Sequence, residues 1–142
     1  MKKKKFIKII IEWLIYVAVF VFIVWGTPLA LSKILKTSYP VASVTSSSMW
    51  PVLKKGDVVL IKGIQDKVEV NLGDIVVYTN SKGFTIHRVV KLNENNLITK
   101  GDANNTEDKS ITYDKIIGKT VNYKNKPWRL PWLGKISQLI KR

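Results

Sequence analysis

One histidine stands in 142 residues, His87, inside the run "FTIHRVV". Upstream, Ser46, Ser47 and Ser48 cluster in "TSSSMWP", residues 45–51; downstream, Asp102 and Asp108 lie in "KGDANNTED". A hydroxyl, an imidazole and a carboxylate are the parts of an acyl-transfer site. Serine is unreactive at its own pKa. Histidine, which as a residue type titrates near ~6.5, is largely neutral at physiological pH and can take the hydroxyl proton. A carboxylate on the other ring nitrogen fixes the tautomer and stabilises the imidazolium. Such sets arise on unrelated folds in different chain orders, so order decides nothing. Most small proteins hold all three residue types, and a lone strand histidine is more often structural. From these residues alone the choice among three serines and two acids stays open; a further acid, Asp114, reads as solvated.

A scaffold must bring these distant groups together, and the chain between them reads as β. "YPVASV", "DVVLI", "DIVVY", "FTIHRVVKL", "NLITK" and "KIIGKTV" are short apolar, β-branched runs. Turn formers separate them: "KKGD", "NLGD", "NSKG", "NENN" and "KGDANN". Runs so short and so regularly punctuated predict a small antiparallel sheet system, closed on itself or folded as a sandwich. Alternation along "FTIHRVV" puts Thr85, His87 and Val89 on one face and Phe84, Ile86 and Val90 on the other. Gly-Asp recurs at Gly56-Asp57, Gly73-Asp74 and Gly101-Asp102, and turn geometry alone would explain all three. No helix period is evident between residues 57 and 121. Beyond them, Trp132, Leu133, Ile136, Leu139 and Ile140 fall at helical spacing in a stretch too short to span a bilayer; docking on the domain or on a membrane surface are the two readings.

The N-terminus differs. From Trp13 to Ser32 the chain runs 20 residues without a charge, the length a helix needs to cross ~30 Å of hydrocarbon. Removable signal peptides have shorter apolar cores of ~7–15 residues, so a retained anchor is expected, with "LALS" as a cleavage alternative. Gly26 and Pro28 fall toward its outer end. Lys2, Lys3, Lys4, Lys5 and Lys8 argue for a cytoplasmic N-terminus, and long domains translocate largely regardless of charge. The organisation expected is a basic N-terminus over residues 1–12, a transmembrane anchor over 13–32, an extracytoplasmic β domain over 33–121 and a tail over 122–142. The formal charge of +14 suits solubility and attraction to anionic lipid. The lysines are scattered singly and no nucleic-acid motif is present, so no nucleic-acid partner is expected. Cysteine is absent, which excludes disulfides and thiolate metal sites. No cofactor and no metal are implied.

Taken in order, "SSSMWP", "KKGDVVLI", "GDIVVY", "IHRVV", "ITKGDANNTED" and "IIGKTV" resemble the type I signal peptidases. The likeness is to the branch found in archaea, in some Gram-positive bacteria and in the endoplasmic reticulum, and it covers residues 43–121. By that resemblance Ser48, directly before the methionine, is the nucleophile. Ser46 is the hydroxyl that completes an oxyanion hole with the Ser48 N–H. His87 is the general base, standing where another branch carries a lysine before Arg-Val, and Asp108 is the third triad member. Asp102 is a nearby supporting carboxylate, with a turn-shaping role as its alternative. Ser47 stands where glycine is commoner, and Trp50 where a small or acidic residue often sits. The fold expected is mainly β, a small antiparallel sheet or barrel-like catalytic domain behind one N-terminal transmembrane helix.

The function so implied is that of a membrane-anchored serine endopeptidase. It would remove signal peptides from secretory precursors at the outer surface of the plasma membrane, cutting after small residues in A-x-A-like sites. The expected partners are the precursors, the bilayer and the protein translocation channel. Two rivals remain: an inactive membrane-tethered binding subunit of a secretion complex, and a self-cleaving repressor-type peptidase with a Ser-Lys dyad and a DNA-binding domain. The anchor and the histidine argue against the second.

Overall fold

A computed structural model describes residues 2–81 and 83–133. The chain divides into two compact units, Met1–Ile34 and Leu35–Arg142.

The first unit is one helical rod: α1 (Lys2–Val21), a π-helical turn (Phe22–Gly26) and α2 (Thr27–Ile34). Pro28 has no N–H to offer a carbonyl one turn back, so the ladder widens just before it rather than breaking. The helix therefore runs through Gly26 and Pro28. From Lys5 to Ile34 it has 30 residues, about 45 Å at 1.5 Å per residue, and is long and apolar enough to cross a membrane. Most of its large apolar side chains, among them Trp13, Phe20, Phe22 and Trp25, are exposed.

The second unit is a mainly antiparallel β domain, as the short apolar runs predict. All six of those runs contain a strand: β1 (Val41–Ser43), β2 (Val58–Lys62), β3 (Ile75–Asn80), β4 (Gly83–Leu92), β5 (Asn96–Lys100) and β7 (Ile116–Thr120). Shorter strands not foreseen are β6 (Ile111–Thr112), β8 (Asn122–Tyr123), β9 (Lys126–Pro127) and β10 (Arg129–Leu130). The main sheet runs β1-β2-β7-β3-β4-β5-β6, with β10 also on β2, while β8 and β9 form a hairpin. Residues 122–130, assigned to the tail by sequence, thus carry three strands, and β10 returns to the sheet. The C-terminal amphipathic helix expected from sequence falls largely on residues 134–142, outside the described ones.

β3 explains how the sheet is covered on both faces. Its Ile75 and Val77 join one core cluster with Val44, Met49, Leu53, Val59 and Ile61. Its Val76 and Tyr78 join a second with Val70, Val89, Leu97 and Ile111. Strand alternation sends successive residues to opposite faces, so a strand apolar throughout is a strand buried on both sides. Val76 faces His87 and Tyr78 faces Thr85 across the β3–β4 ladder, which puts His87, Thr85 and Val89 on the face of the second cluster. Gly118 permits the close approach of β7 to β2: a Cβ there would lie 2.3 Å from the Lys62 carbonyl oxygen.

Two of the Gly-Asp pairs are the same turn. Gly56 and Gly73 have φ of 93° and 86°, which other residues rarely adopt. The Asp57 and Asp74 carboxylates each accept from the backbone N–H three residues earlier, of Lys54 and Asn71. The third pair, Gly101-Asp102, is built differently, and belongs to the site.

Candidate active site

Ser48 rides on the loop joining β1 to β2. That loop is closed at its base, where Val44 N–H donates to the Asp57 carbonyl and Gly56 N–H to the Val44 carbonyl, both at 2.8 Å. Met49 anchors its tip. At 1 % exposure the side chain fills the first core cluster, and the Leu53 N–H donates to its carbonyl. A methionine pinned in the core leaves the preceding residue at the rim: Ser48 is half-buried, while Ser46, Ser47 and Trp50 are exposed.

His87 reaches this rim from the middle of β4. Its Nε2 lies 3.1 Å from Ser48 Oγ and its Nδ1 lies 2.5 Å from Asp108 Oδ2. Three groups spread over 61 positions of the chain are thereby joined by an unbroken line of hydrogen bonds. With Nδ1–H donated to the carboxylate, Nε2 is the acceptor for the Ser48 hydroxyl, the tautomer that general-base catalysis requires. The ring is 8 % exposed, so its polar atoms need these partners. Ser46 Oγ stands 3.0 Å from Ser48 Oγ. Among the described residues the Ser48 N–H has no acceptor, which leaves it available to an incoming oxyanion.

Asp102 is turned to another task. Arg88, next to His87 and so on the opposite face of β4, donates to it through Nε at 2.8 Å and Nη2 at 2.7 Å, and through Nη1 to the Gly73 carbonyl. These bonds to Asp102 hold the Arg88 pKa above its ordinary value, against the opposing effect of burial. The loop so fixed touches Ser48 by its backbone, because the Ala103 N–H donates to the Ser48 carbonyl at 2.8 Å. Gly101 lets the two strands of chain meet: an added Cβ would lie 2.8 Å from that same carbonyl oxygen. Asp102 is thus linked to Ser48 through the backbone of this loop. Asp114, in a short 3-10 turn, is exposed, as its surroundings in sequence suggest.

Sequence reasoning missed two residues. Tyr78 of β3 and Thr99 of β5 both donate to Asp108 Oδ2, at 3.2 and 2.7 Å. Burial pushes the Tyr78 phenol up, and the Asp108 charge adds to this, so the phenol keeps its proton. Their signal was present but faint: Tyr78 closes the apolar run of "DIVVY", and Thr99 follows Leu97 and Ile98 in "NLITK".

A groove of about 790 Å³ opens at Ser48 and His87 and runs between β1 and the start of β4. Val41, Ala42 and Val44 line one wall, Phe84 and Ile86 the other. Tyr39 and Phe84 meet edge to face at its far end, ring centroids 5.0 Å apart. β1 is paired only on its β2 side, and β4 pairs with β5 only from Arg88 onward. Both walls thus offer strand edges that are unpaired among the described residues. No group of three or more metal-binding side chains occurs among them.

A serine hydroxyl, an imidazole and a carboxylate in hydrogen-bond contact beside an open groove are the arrangement of a serine hydrolase. The model of the S24-like peptidases matches residues 24–121. The signal peptidase complex catalytic subunit SEC11 of Candida tropicalis is 33 % identical over 142 residues, covering 89 % of this chain and 79 % of its own. The corresponding subunits of Lodderomyces elongisporus and Candida albicans are also 33 % identical, covering 88 % and 89 % of this chain and 78 % and 79 % of their own. The chain belongs to the S24-like peptidase family and, within it, to the type I signal peptidases of the endoplasmic-reticulum type, and is a serine peptidase.

Proposed function

We propose that the chain is a membrane-anchored endopeptidase that removes signal peptides from secretory precursors, with Ser48 as nucleophile, His87 as general base and Asp108 as its orienting acid. The observation that carries this reading is the pair of contacts at His87, 3.1 Å to Ser48 and 2.5 Å to Asp108. His87 Nε2 takes the Ser48 proton as Oγ attacks the scissile carbonyl. The Ser48 N–H and Ser46 O–H hold the oxyanion, and Asp108 stabilises the imidazolium. The imidazolium then gives its proton to the leaving amine, which departs as the new N-terminus. Water, activated by the same imidazole, hydrolyses the acyl-enzyme.

The substrate enters as an extended strand in the groove between β1 and β4, hydrogen-bonding to their open edges. Small side chains one and three residues before the cut fill its shallow apolar floor, which gives the A-x-A preference. Residues 5–34 anchor the enzyme in the bilayer, with the lysine-rich N-terminus in the cytoplasm and the β domain on the far side, at the plasma membrane. Anchoring brings enzyme and membrane-held precursor into one thin layer and raises their effective concentration. The relatives are named as subunits of a complex, and an assembly near the translocation channel fits this scheme.

The test is cleavage of a model precursor by the purified full chain in a bilayer, with N-terminal sequencing of the product. Cleavage directly after an A-x-A site supports the reading; intact precursor, with the chain folded, leaves the binding-subunit alternative.

A further inference from the structure

Asp108 Oδ2 is the most heavily used acceptor in the site. One oxygen receives His87 Nδ1–H, the Thr99 hydroxyl at 2.7 Å and the Tyr78 phenol at 3.2 Å. Thr99 is 0 % and Tyr78 3 % exposed, so both side chains are buried where they meet the carboxylate. Thr99 Oγ1 also lies 3.4 Å from the phenol oxygen, but its single proton goes to the nearer and charged acceptor. The Asp108 N–H donates to the Thr99 carbonyl at 2.8 Å, so β5 grips the acid by both backbone and side chain.

We infer that Thr99 and Tyr78 are positioning residues, a two-hydroxyl clamp that aims Asp108 at His87 and sets how basic the imidazole is. The inference rests on the reading of His87 as base and Asp108 as its partner. Two donors spread the carboxylate charge, so less of it is felt by the ring. The charged form of the acid is stabilised, and the imidazolium is stabilised less than a bare carboxylate would achieve. Removing a donor returns that charge to the ring, and His87 then holds a proton to higher pH. The enzyme loses its base earlier as the medium is acidified. Such a clamp trades transition-state stabilisation of the imidazolium against keeping the base free at working pH.

The other charged groups around the pair are committed elsewhere. On β4, Arg88 is engaged by Asp102 and the Gly73 carbonyl. In the loop before Asp108, Glu107 pairs with Lys91 at 3.0 Å. Lys109 after it is exposed, and Lys100 of β5 is half-buried. From the serine loop the Ser48 hydroxyl meets the ring and the Ser46 hydroxyl meets Ser48, and both are neutral. Tyr78 from β3 is the titratable side chain in direct contact with Asp108 besides His87.

Because the chain has a single histidine, one imidazole signal reports the site without ambiguity. The experiment is an NMR titration of that signal in the detergent-solubilised full chain, alongside the pH profile of precursor cleavage. Wild type, Thr99→Val, Thr99→Ser and Tyr78→Phe are compared. Thr99→Val and Tyr78→Phe are each expected to move the imidazole midpoint and the acid limb of kcat/KM to higher pH. At a fixed pH on that limb, kcat/KM falls roughly threefold more than on the plateau. Thr99→Ser restores both. Midpoints unmoved in both variants, or moved to lower pH, overturn the clamp, as does a uniform loss of rate with the limb in place. If Thr99→Val loses its dispersed spectrum, Tyr78→Phe decides alone. The titration needs no turnover, so it judges the clamp even if Ser48→Ala still cleaves precursor and the peptidase mechanism falls.

Discussion

With the Ser48 proton turned toward His87, the Ser46 hydroxyl is the donor across their 3.0 Å contact. In the proposed mechanism Ser48 becomes an ester oxygen and so a poorer acceptor, and the Ser46 proton is released to the neighbouring oxyanion. That donor works in the transition state and not in the ground state, so it acts on kcat. Ser46→Ala is expected to lower kcat by roughly 10²–10³ with KM changed less than about threefold, read from steady-state cleavage. A raised KM with kcat intact would instead make Ser46 a substrate-binding residue. Tyr78 carries a stability signature of its own. Its pKa is raised above 10.0 by burial first and the Asp108 charge second, so the folded chain keeps a proton that the unfolded chain gives up. That stability is fully present below the unfolded value and is lost as pH rises through the folded one. Urea denaturation midpoints should therefore fall more steeply above about pH 10 in wild type than in Tyr78→Phe. Equal slopes would mean that the phenol is not protected.

At the scale of elements, the site is a meeting of two loops and a strand, and the loop 101–108 ties the other two together, through its backbone to Ser48 and through Asp108 to His87. Gly101→Ala would press a Cβ to within 2.7 Å of Asn104 Nδ2 and 2.8 Å of the Ser48 carbonyl oxygen, so the backbone at Ser48 or the Asn104 side chain must shift. Displacing a reacting group by part of an ångström costs rate before it costs stability. Activity is expected to fall by at least about tenfold while the melting temperature drops only a few degrees; a large melting drop with proportionate activity would make the glycine merely structural. Asp102→Asn leaves Arg88 half-buried with a neutral partner. The expected cost, by chemical denaturation, is about 2–3 kcal/mol, reduced from the range for buried pairs because Arg88 is 31 % exposed. The contrast among the Gly-Asp pairs shows what sequence can and cannot yield. Local turn chemistry made Gly56-Asp57 and Gly73-Asp74 readable, since donor and acceptor lie three residues apart. The Arg88 side chain that holds Asp102 and the Ser48 carbonyl that Gly101 approaches, by contrast, lie 14 and more residues away, and no local pattern encodes such a contact. Strand runs were legible for the same reason as turns. The two-residue strands β6, β8, β9 and β10 were not, because they are too short to show a period. His87 and the serine loop stood out by residue type and block order. Tyr78 and Thr99 stayed hidden because their role depends on which strands are neighbours.

The chain carries a long apolar helix and a β domain that brings Ser48, His87 and Asp108 together. Residues 5–34 expose large apolar side chains along their length, an arrangement stable in lipid and costly in water. The β domain has its own two core clusters, and the residues lining the groove fall between Tyr39 and Ile117. A chain beginning at residue 35 is therefore expected to hydrolyse a short soluble peptide with an A-x-A site at a rate within about tenfold of the full chain. It should lose most of its activity on a precursor held in a bilayer, because the helix contributes concentration rather than chemistry. Equal loss on both substrates would tie the helix to the fold of the site. The central claim is that one hydroxyl does the chemistry. It is tested most directly by comparing the full chain with Ser48→Ala on the same bilayer-held precursor. The variant is expected to release mature product at least about 10³-fold more slowly while keeping its fold and its imidazole titration. Mature product appearing equally fast from both would contradict the assignment.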